Sequence, residues 1–119
     1  MKIQNKNILI SIIIVNYNNA QFLDQSIRSI LSQTYSNFEI IVIDDKSNDN
    51  SVEILKKFKK KIIFAINKKK TRYGSYNQMN AYYQGYLKSK GKYLFFLDSD
   101  DYFKKNKVEV IMNEFKKKK

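Results

Sequence analysis

Four apolar runs, at residues 8–15, 38–43, 62–66 and 93–97, alternate along this chain with stretches whose apolar residues recur at helical spacing. No other feature narrows the fold as much. The first two runs are almost unbroken Ile, Val and Leu, the pattern of strands buried on both faces of a parallel sheet. Between them Phe22, Leu23, Ile27, Ile30 and Leu31 share one helical face that ends near Gln33. Asn50 followed by Glu53 reads as a capping box that opens a helix running to about Lys60. Residues 76–88 form a third helical stretch, with Met79, Tyr83, Tyr86 and Leu87 as a stripe expected to join the core, and Gly91 closes it. Residues 108–115 give a short amphipathic helix before a basic tail at 116–119. The order β-α-β-α-β-α-β-α with short connections predicts an α/β domain with right-handed crossovers, its parallel sheet flanked by helices on both faces.

A sheet of this kind takes its ligands beyond the carboxyl ends of its strands. Asn16-Tyr17, Asp44-Asp45, the basic loop 68–72 and Asp98-Ser99-Asp100 all fall at such ends. The acids there stand out because the chain is otherwise basic, with 23 Lys+Arg against 11 Asp+Glu and a formal charge of +12. More than half of the acids lie in two stretches, Asp44/Asp45/Asp49 and Asp98/Asp100/Asp101. Two like charges 4 Å apart cost roughly 1 kcal/mol in water and about 4 kcal/mol at an effective dielectric of 20. A bound cation offsets that cost, and hard carboxylate oxygens suit Mg²⁺ or Mn²⁺. For one cluster alone, a solvated acidic turn is the better explanation, and the second cluster and its placement shift the balance. With no His and no Cys the chain lacks the commonest general base, the usual zinc ligand, thiolate chemistry and disulfides. It has neither a G-x-x-x-x-G-K-[ST] loop nor a G-x-G-x-x-G turn after the first run, and only three Gly. Backbone cradling of phosphate is therefore a poor option, and a metal bridging carboxylates to a diphosphate is the better one.

No apolar run reaches the ~18 residues of a membrane span. The start of the chain loosely resembles a signal peptide, but no small-residue cleavage site follows it, so the expected location is the cytoplasm. The charge of +12 raises nucleic acid as a partner. That reading is weak, because the Lys are scattered and two acidic clusters line the expected groove. The 116–119 tail could instead hold the protein at the surface of an anionic membrane, with a solvated tail as the plainer reading.

Four segments together carry a family resemblance. Ser11-Ile12-Ile13-Ile14-Val15-Asn16-Tyr17-Asn18, Ser29-Ile30-Leu31-Ser32-Gln33-Thr34, Phe38-Glu39-Ile40-Ile41-Val42-Ile43-Asp44-Asp45-Lys46-Ser47 and Phe96-Leu97-Asp98-Ser99-Asp100-Asp101 resemble, in order and spacing, the amino-terminal half of a family 2 glycosyltransferase. The likeness runs over about residues 9 to 115. Two positions depart from the usual pattern: Val15 stands where many members have Pro or Thr, and the loop after the second run lacks a common Gly.

The resemblance implies a Rossmann-like GT-A nucleotide-binding half and a nucleotide-sugar donor, usually a UDP-sugar. It implies Mn²⁺ or Mg²⁺ and transfer with inversion to a glycan or lipid-linked acceptor, as in polysaccharide biosynthesis. Carried over residue by residue, it makes Asp100 the principal metal ligand and sets Asp98 on the donor ribose or in the metal's shell. Asp45 would accept a hydrogen bond from the base, Tyr17 would stack near it, and Arg72 would face the diphosphate. The chemistry suits these roles. A carboxylate accepts a uracil N–H, a phenol ring offers a stacking face, and a guanidinium pairs bidentately with phosphate. Each role has a blander counterpart: Tyr17 as a packed ring, Arg72 as a solvated cation. Asp44 reads as structural, Asn18 as a turn residue, and Asp49 as a helix-start acid.

In the family, the base that deprotonates the acceptor lies in the carboxyl-terminal half. Here Glu109 and Glu114 are the only acids after Asp101, and both read as surface partners for Lys. The expectation is thus a donor-binding domain over 1–119, apparently truncated, with a possible second subunit supplying the acceptor half. Its alternative is a non-catalytic nucleotide-sugar-binding or assembly module.

Overall fold

The computed structural model describes residues 8–67 and 72–117, the Ser75 side chain excepted. Eight elements alternate as expected: β1 (Ile10–Asn16), α1 (Ala20–Leu31), β2 (Phe38–Asp44), α2 (Ser51–Lys57), β3 (Ile63–Ile66), α3 (Gly74–Lys88), β4 (Tyr93–Asp98) and α4 (Lys107–Lys117). The strands form one parallel sheet in the order β3-β2-β1-β4. Register brings the strand ends level: Asn16 pairs with Asp44, Val15 with Asp98, and Asp44 with Ile66. The polar residues that terminate the apolar runs therefore share one rim.

Alternation along the buried strands sends side chains to two cores. On one face Ile10, Ile12, Ile14, Ile40, Val42, Phe95 and Leu97 meet Leu23, Ile27 and Ile30 of α1, Leu55 of α2, and Val108 and Met112 of α4. On the other, Ile13, Val15, Ile41 and Ile43 meet Ala81 of α3. Small residues set that second contact. A Cβ at Gly85 would stand 2.5 Å from Ile13 Cγ2, so glycine lets α3 lie close to the sheet. Gly91 has a similar reason, since a Cβ there would meet the β1 backbone at 2.5 Å.

Several sequence expectations change. The Met79/Tyr83/Tyr86/Leu87 stripe is not core: all four are more than half exposed, on the side of α3 turned away from the sheet. Phe22 is also exposed, while Ser26 takes a buried place on α1. Helix α2 ends at Lys57, short of Lys60, where Phe58 N–H donates to Leu55 O at 3.0 Å and Lys59 N–H donates to Lys56 O at 3.3 Å. Asn50 makes no side-chain cap bond there. Helix α4 extends to Lys117, so Lys116 and Lys117 are helical rather than tail, and residues 118–119 lie outside the described residues. Glu109 accepts a hydrogen bond from Thr34 Oγ1 at 2.6 Å, and Glu114 pairs with Lys117 at 3.3 Å. No helix among the described residues is long and apolar enough to cross a membrane.

Candidate nucleotide-binding and metal site

The two loops that follow β1 and β2 are built as one unit. Asn16, at the end of β1, is buried and donates Nδ2 to Asp44 Oδ1 at 2.8 Å. Asp44 also accepts the Ser47 backbone N–H at 2.8 Å and its hydroxyl at 2.7 Å. Its carboxylate is thus consumed by loop amide and side chains, in keeping with the structural reading. Asn18 and Asn48 extend the joint: Asn18 N–H donates to Ser47 Oγ, and Asn48 N–H donates to Asn18 Oδ1, each at 2.9 Å. Asn18 adopts a left-handed φ of 52°, which Asn tolerates better than most residues. Lys46 is left-handed too, at 61°, in the loop without the common Gly.

Asp49 completes this corner. Its two oxygens accept the first backbone N–H of two helices, Ala20 of α1 at 3.1 Å and Ser51 of α2 at 3.0 Å. Burial acts to raise its pKa, but the hydrogen bonds from Ser51 and Ala20 outweigh that and hold the carboxyl below its ordinary value. Asp49 is a helix-start acid, as its position in the sequence suggested, and it does the capping that the sequence assigned to Asn50.

An open cleft of about 310 Å³ lies above the strand ends. Its wall holds Val15 and Tyr17 after β1, Asp45 after β2, and Asp98 and Asp100 after β4. The remaining wall comes from α3, through Gly74, Asn77 and Gln78. Four of the five donor- and metal-site residues read from the sequence therefore meet in one concavity. Tyr17 is 47% exposed and forms part of the cleft wall. Asp45 is only 4% exposed; Asn67, at the end of β3, donates Nδ2 to its Oδ1 at 3.2 Å.

Arg72 is the exception. It is not part of the cleft wall; its guanidinium donates to Tyr73 Oη at 3.0 Å and lies 5.1 Å from the centre of that ring. The other residues of the basic loop, 68–71, lie outside the described residues.

Beyond β4, Asp98, Asp100 and Asp101 each offer a carboxylate oxygen within 4.8 Å of the others. All three are exposed, and the ion pairs formed among the described residues leave them without a cation. Three hard anionic oxygens at this spacing fit a Mg²⁺- or Mn²⁺-sized cation. The backbone holds the turn: Asp101 N–H donates to Asp98 O at 2.9 Å, and Ser99 is buried under Asn19, whose Nδ2 donates to its Oγ at 3.1 Å.

Sequence reasoning missed the α3 and β3 contributions. Asn67 lies just past a short strand, and Asn77, Gln78 and Tyr82 sit in a helix read only for its apolar stripe. Tyr82 Oη donates to Asp98 Oδ1. Burial first, then the bond to Asp98 and the charges of Asp98, Asp100 and Asp101, push its phenol far above the ordinary value, so it remains a donor. The available signal was positional: these polar residues share the rim or the sheet side of α3, but only a known crossing of α3 over the sheet makes them neighbours of Asp98.

Comparison with known proteins bears on this arrangement. The family model described as glycosyl transferase family 2 matches residues 11–119. The Escherichia coli UDP-Glc:alpha-D-GlcNAc-diphosphoundecaprenol beta-1,3-glucosyltransferase WfaP is 41% identical over 101 residues, covering 84% of this chain and 38% of that protein. The crystal structure of Staphylococcus aureus TarS 1-349 in complex with UDP-GlcNAc superposes with a TM-score of 0.73 at 25% identity, covering 98% of this chain and 32% of that one. A mannosyltransferase from Pyrobaculum calidifontis, in complex with GDP-Man and Mn²⁺, shares the fold at a TM-score of 0.62 and 18% identity, covering 79% of this chain and 28% of that one. The chain spans between 14% and 41% of the length of eight curated relatives that match it.

Proposed function

The chain belongs to glycosyl transferase family 2, and on that premise we propose that its cleft binds a nucleotide-diphospho-sugar, a UDP-sugar, for transfer to a glycan or lipid-linked acceptor. The observation that carries the reading is the meeting of Tyr17, Asp45, Asp98 and Asp100 in one concavity at the strand ends. WfaP is named for a UDP-Glc donor and TarS was solved with UDP-GlcNAc, which favours uridine as the base. In this reading residues 1–119 are a donor-binding domain.

Each residue has a task. Asp45, held by Asn67, accepts the uracil N–H, and a bond to a charged acceptor contributes about 1.5–3 kcal/mol. Tyr17, in the cleft wall, stacks near the base. Asp100 and Asp98 would hold the divalent cation, with Asp101 in reach. When bound, such a cation neutralises the diphosphate and assists its departure as a Lewis acid. For Arg72 to pair with the diphosphate its side chain must leave the Tyr73 ring, and the proposal includes that movement. Attack by an acceptor hydroxyl opposite the leaving group would invert the anomeric centre. The base for that hydroxyl is assigned to no residue here. Asp45, Asp98 and Asp100 are committed to the donor, and Glu109 and Glu114 belong to α4, outside the cleft wall.

A second reading is a nucleotide-sugar-binding module that does not itself catalyse transfer. The two share one binding test and differ in turnover. Calorimetric titration of UDP in Mn²⁺ should give heat that disappears with chelator and in Asp100→Ala. Undiminished binding by that folded variant removes the metal assignment. Transfer from a labelled UDP-sugar to an acceptor panel then separates enzyme from module.

A further inference from the structure

Asp98 is gripped from one side. Tyr82 Oη donates to Asp98 Oδ1, and Gln78 Nε2 donates to the same oxygen at 3.4 Å. Both donors belong to α3 and stand four residues apart, so they lie one turn above the other on one helix face. No described residue donates to Oδ2. The Tyr82 ring is itself fixed, edge-on to Phe96 of β4 with centroids 5.4 Å apart and planes at 84°. Close packing of α3 at Gly85, one turn further on, sets the depth from which the phenol reaches the rim.

We propose that Tyr82, seconded by Gln78, is a positioning residue for the donor: it immobilises the Asp98 carboxylate through Oδ1 so that Oδ2 is presented to the cation or ribose of the bound nucleotide sugar. The inference rests on the donor-binding reading above and extends it to residues that the family resemblance did not assign. A free carboxylate on an exposed strand end samples rotamers, and ordering it on binding costs affinity. Two donors on one oxygen remove that cost before the ligand arrives. They also decide which oxygen is left for it. Tyr82 touches neither ligand nor reacting atoms in this account; it acts only through Asp98.

The competing role for the same bond is to tie α3 to β4. The two roles differ in what a hydroxyl deletion does. UDP binding in Mn²⁺ should be titrated for the parent chain, Tyr82→Phe, Asp98→Asn and the double variant, with a thermal melt of each. The phenylalanine keeps the ring against Phe96. The expected result is a loss of UDP affinity of about five- to tenfold in Tyr82→Phe, smaller than loss of a whole bond to a charged group. In the Asp98→Asn background the same change should cost nothing further, because the effect passes through the carboxylate. Parental affinity in a folded Tyr82→Phe, or an equal loss in both backgrounds, overturns the inference. If Tyr82→Phe does not fold, Gln78→Met on the exposed helix surface carries the test, with an expected loss of about twofold that again vanishes beside Asp98→Asn; parental affinity there overturns it. A parent chain without Mn²⁺-dependent UDP binding overturns the donor reading, and the inference falls with it. The two failures are thereby distinct.

Discussion

Asp45 and Asp44 are neighbours in sequence and opposites in use. Asp44 points into the loop and has its carboxylate filled by Asn16 and Ser47, whereas Asp45 lines the cleft with Asn67 on one oxygen. Asp45→Asn preserves shape but offers an amide that can turn a donor towards the uracil N–H. UDP affinity should fall by about 1.5–3 kcal/mol, measured by calorimetry, with the fold intact. Asp44→Asn should act differently, through the stability of the loop pair. Equal affinity of the parent for UDP and ADP would remove Asp45 from base recognition. At this scale the acids and the structural reading of Asp44 were legible in the sequence; the Asn16 and Ser47 groups that fill its carboxylate, and the Asn67 amide on Asp45, were not. The alternation of side chains along a strand predicts that two neighbours face apart, but which loop groups meet each of them depends on how the loop after β2 turns, where Lys46 has a left-handed φ of 61°.

At the scale of elements, Asp49 joins the starts of α1 and α2, and its carboxyl is held below the ordinary value of 3.8. A carboxyl with a lowered folded pKa stabilises the protein above its unfolded pKa, and that contribution is lost as pH falls through the folded value. Replacing Asp49 by Ala should therefore cost about 1 kcal/mol near neutral pH, as removal of a helix cap does. The difference between parent and variant melts should shrink steadily below about pH 4. A difference that stays constant into acid would assign the effect to something other than the ionised carboxylate. Helix α3 carries the element-scale lesson. Its apolar stripe has the period of a buried face, yet the sheet is met by Ala81 and Gly85 instead. Periodicity reveals that a helix has two unlike faces. Which one packs is decided by how closely the backbone must approach, and here Ala81 and Gly85 let it approach while Tyr82 packs beside them.

For the whole molecule, the formal charge of +12 on 119 residues means net self-repulsion in the folded state. The ion pairs formed among the described residues, Arg28–Asp24 and Lys117–Glu114, are local and exposed, so they contribute little against it. Screening shortens from about 30 Å at 0.01 M salt to about 8 Å at 0.15 M. The melting temperature should rise over that interval. A fall would mean that attractive surface pairs outweigh the repulsion.

The sequence by itself determined the α/β class, the element order, the parallel sheet and the rim on which the acids gather. Each follows from local pattern: β-branched runs buried on both faces, helical spacing between them, and short connections that permit one hand of crossover. Tertiary structure decided the rest. The strand order β3-β2-β1-β4 sets Asp45 and Asp98 on opposite sides of Tyr17's strand, and the crossing of α3 brings Gln78 and Tyr82 to Asp98 from 20 and 16 residues away in the chain. Those contacts join elements with no local signal for each other, because what fixes them is the packing distance at Gly85 and Ile13, and a packing distance exists only once both partners are in place.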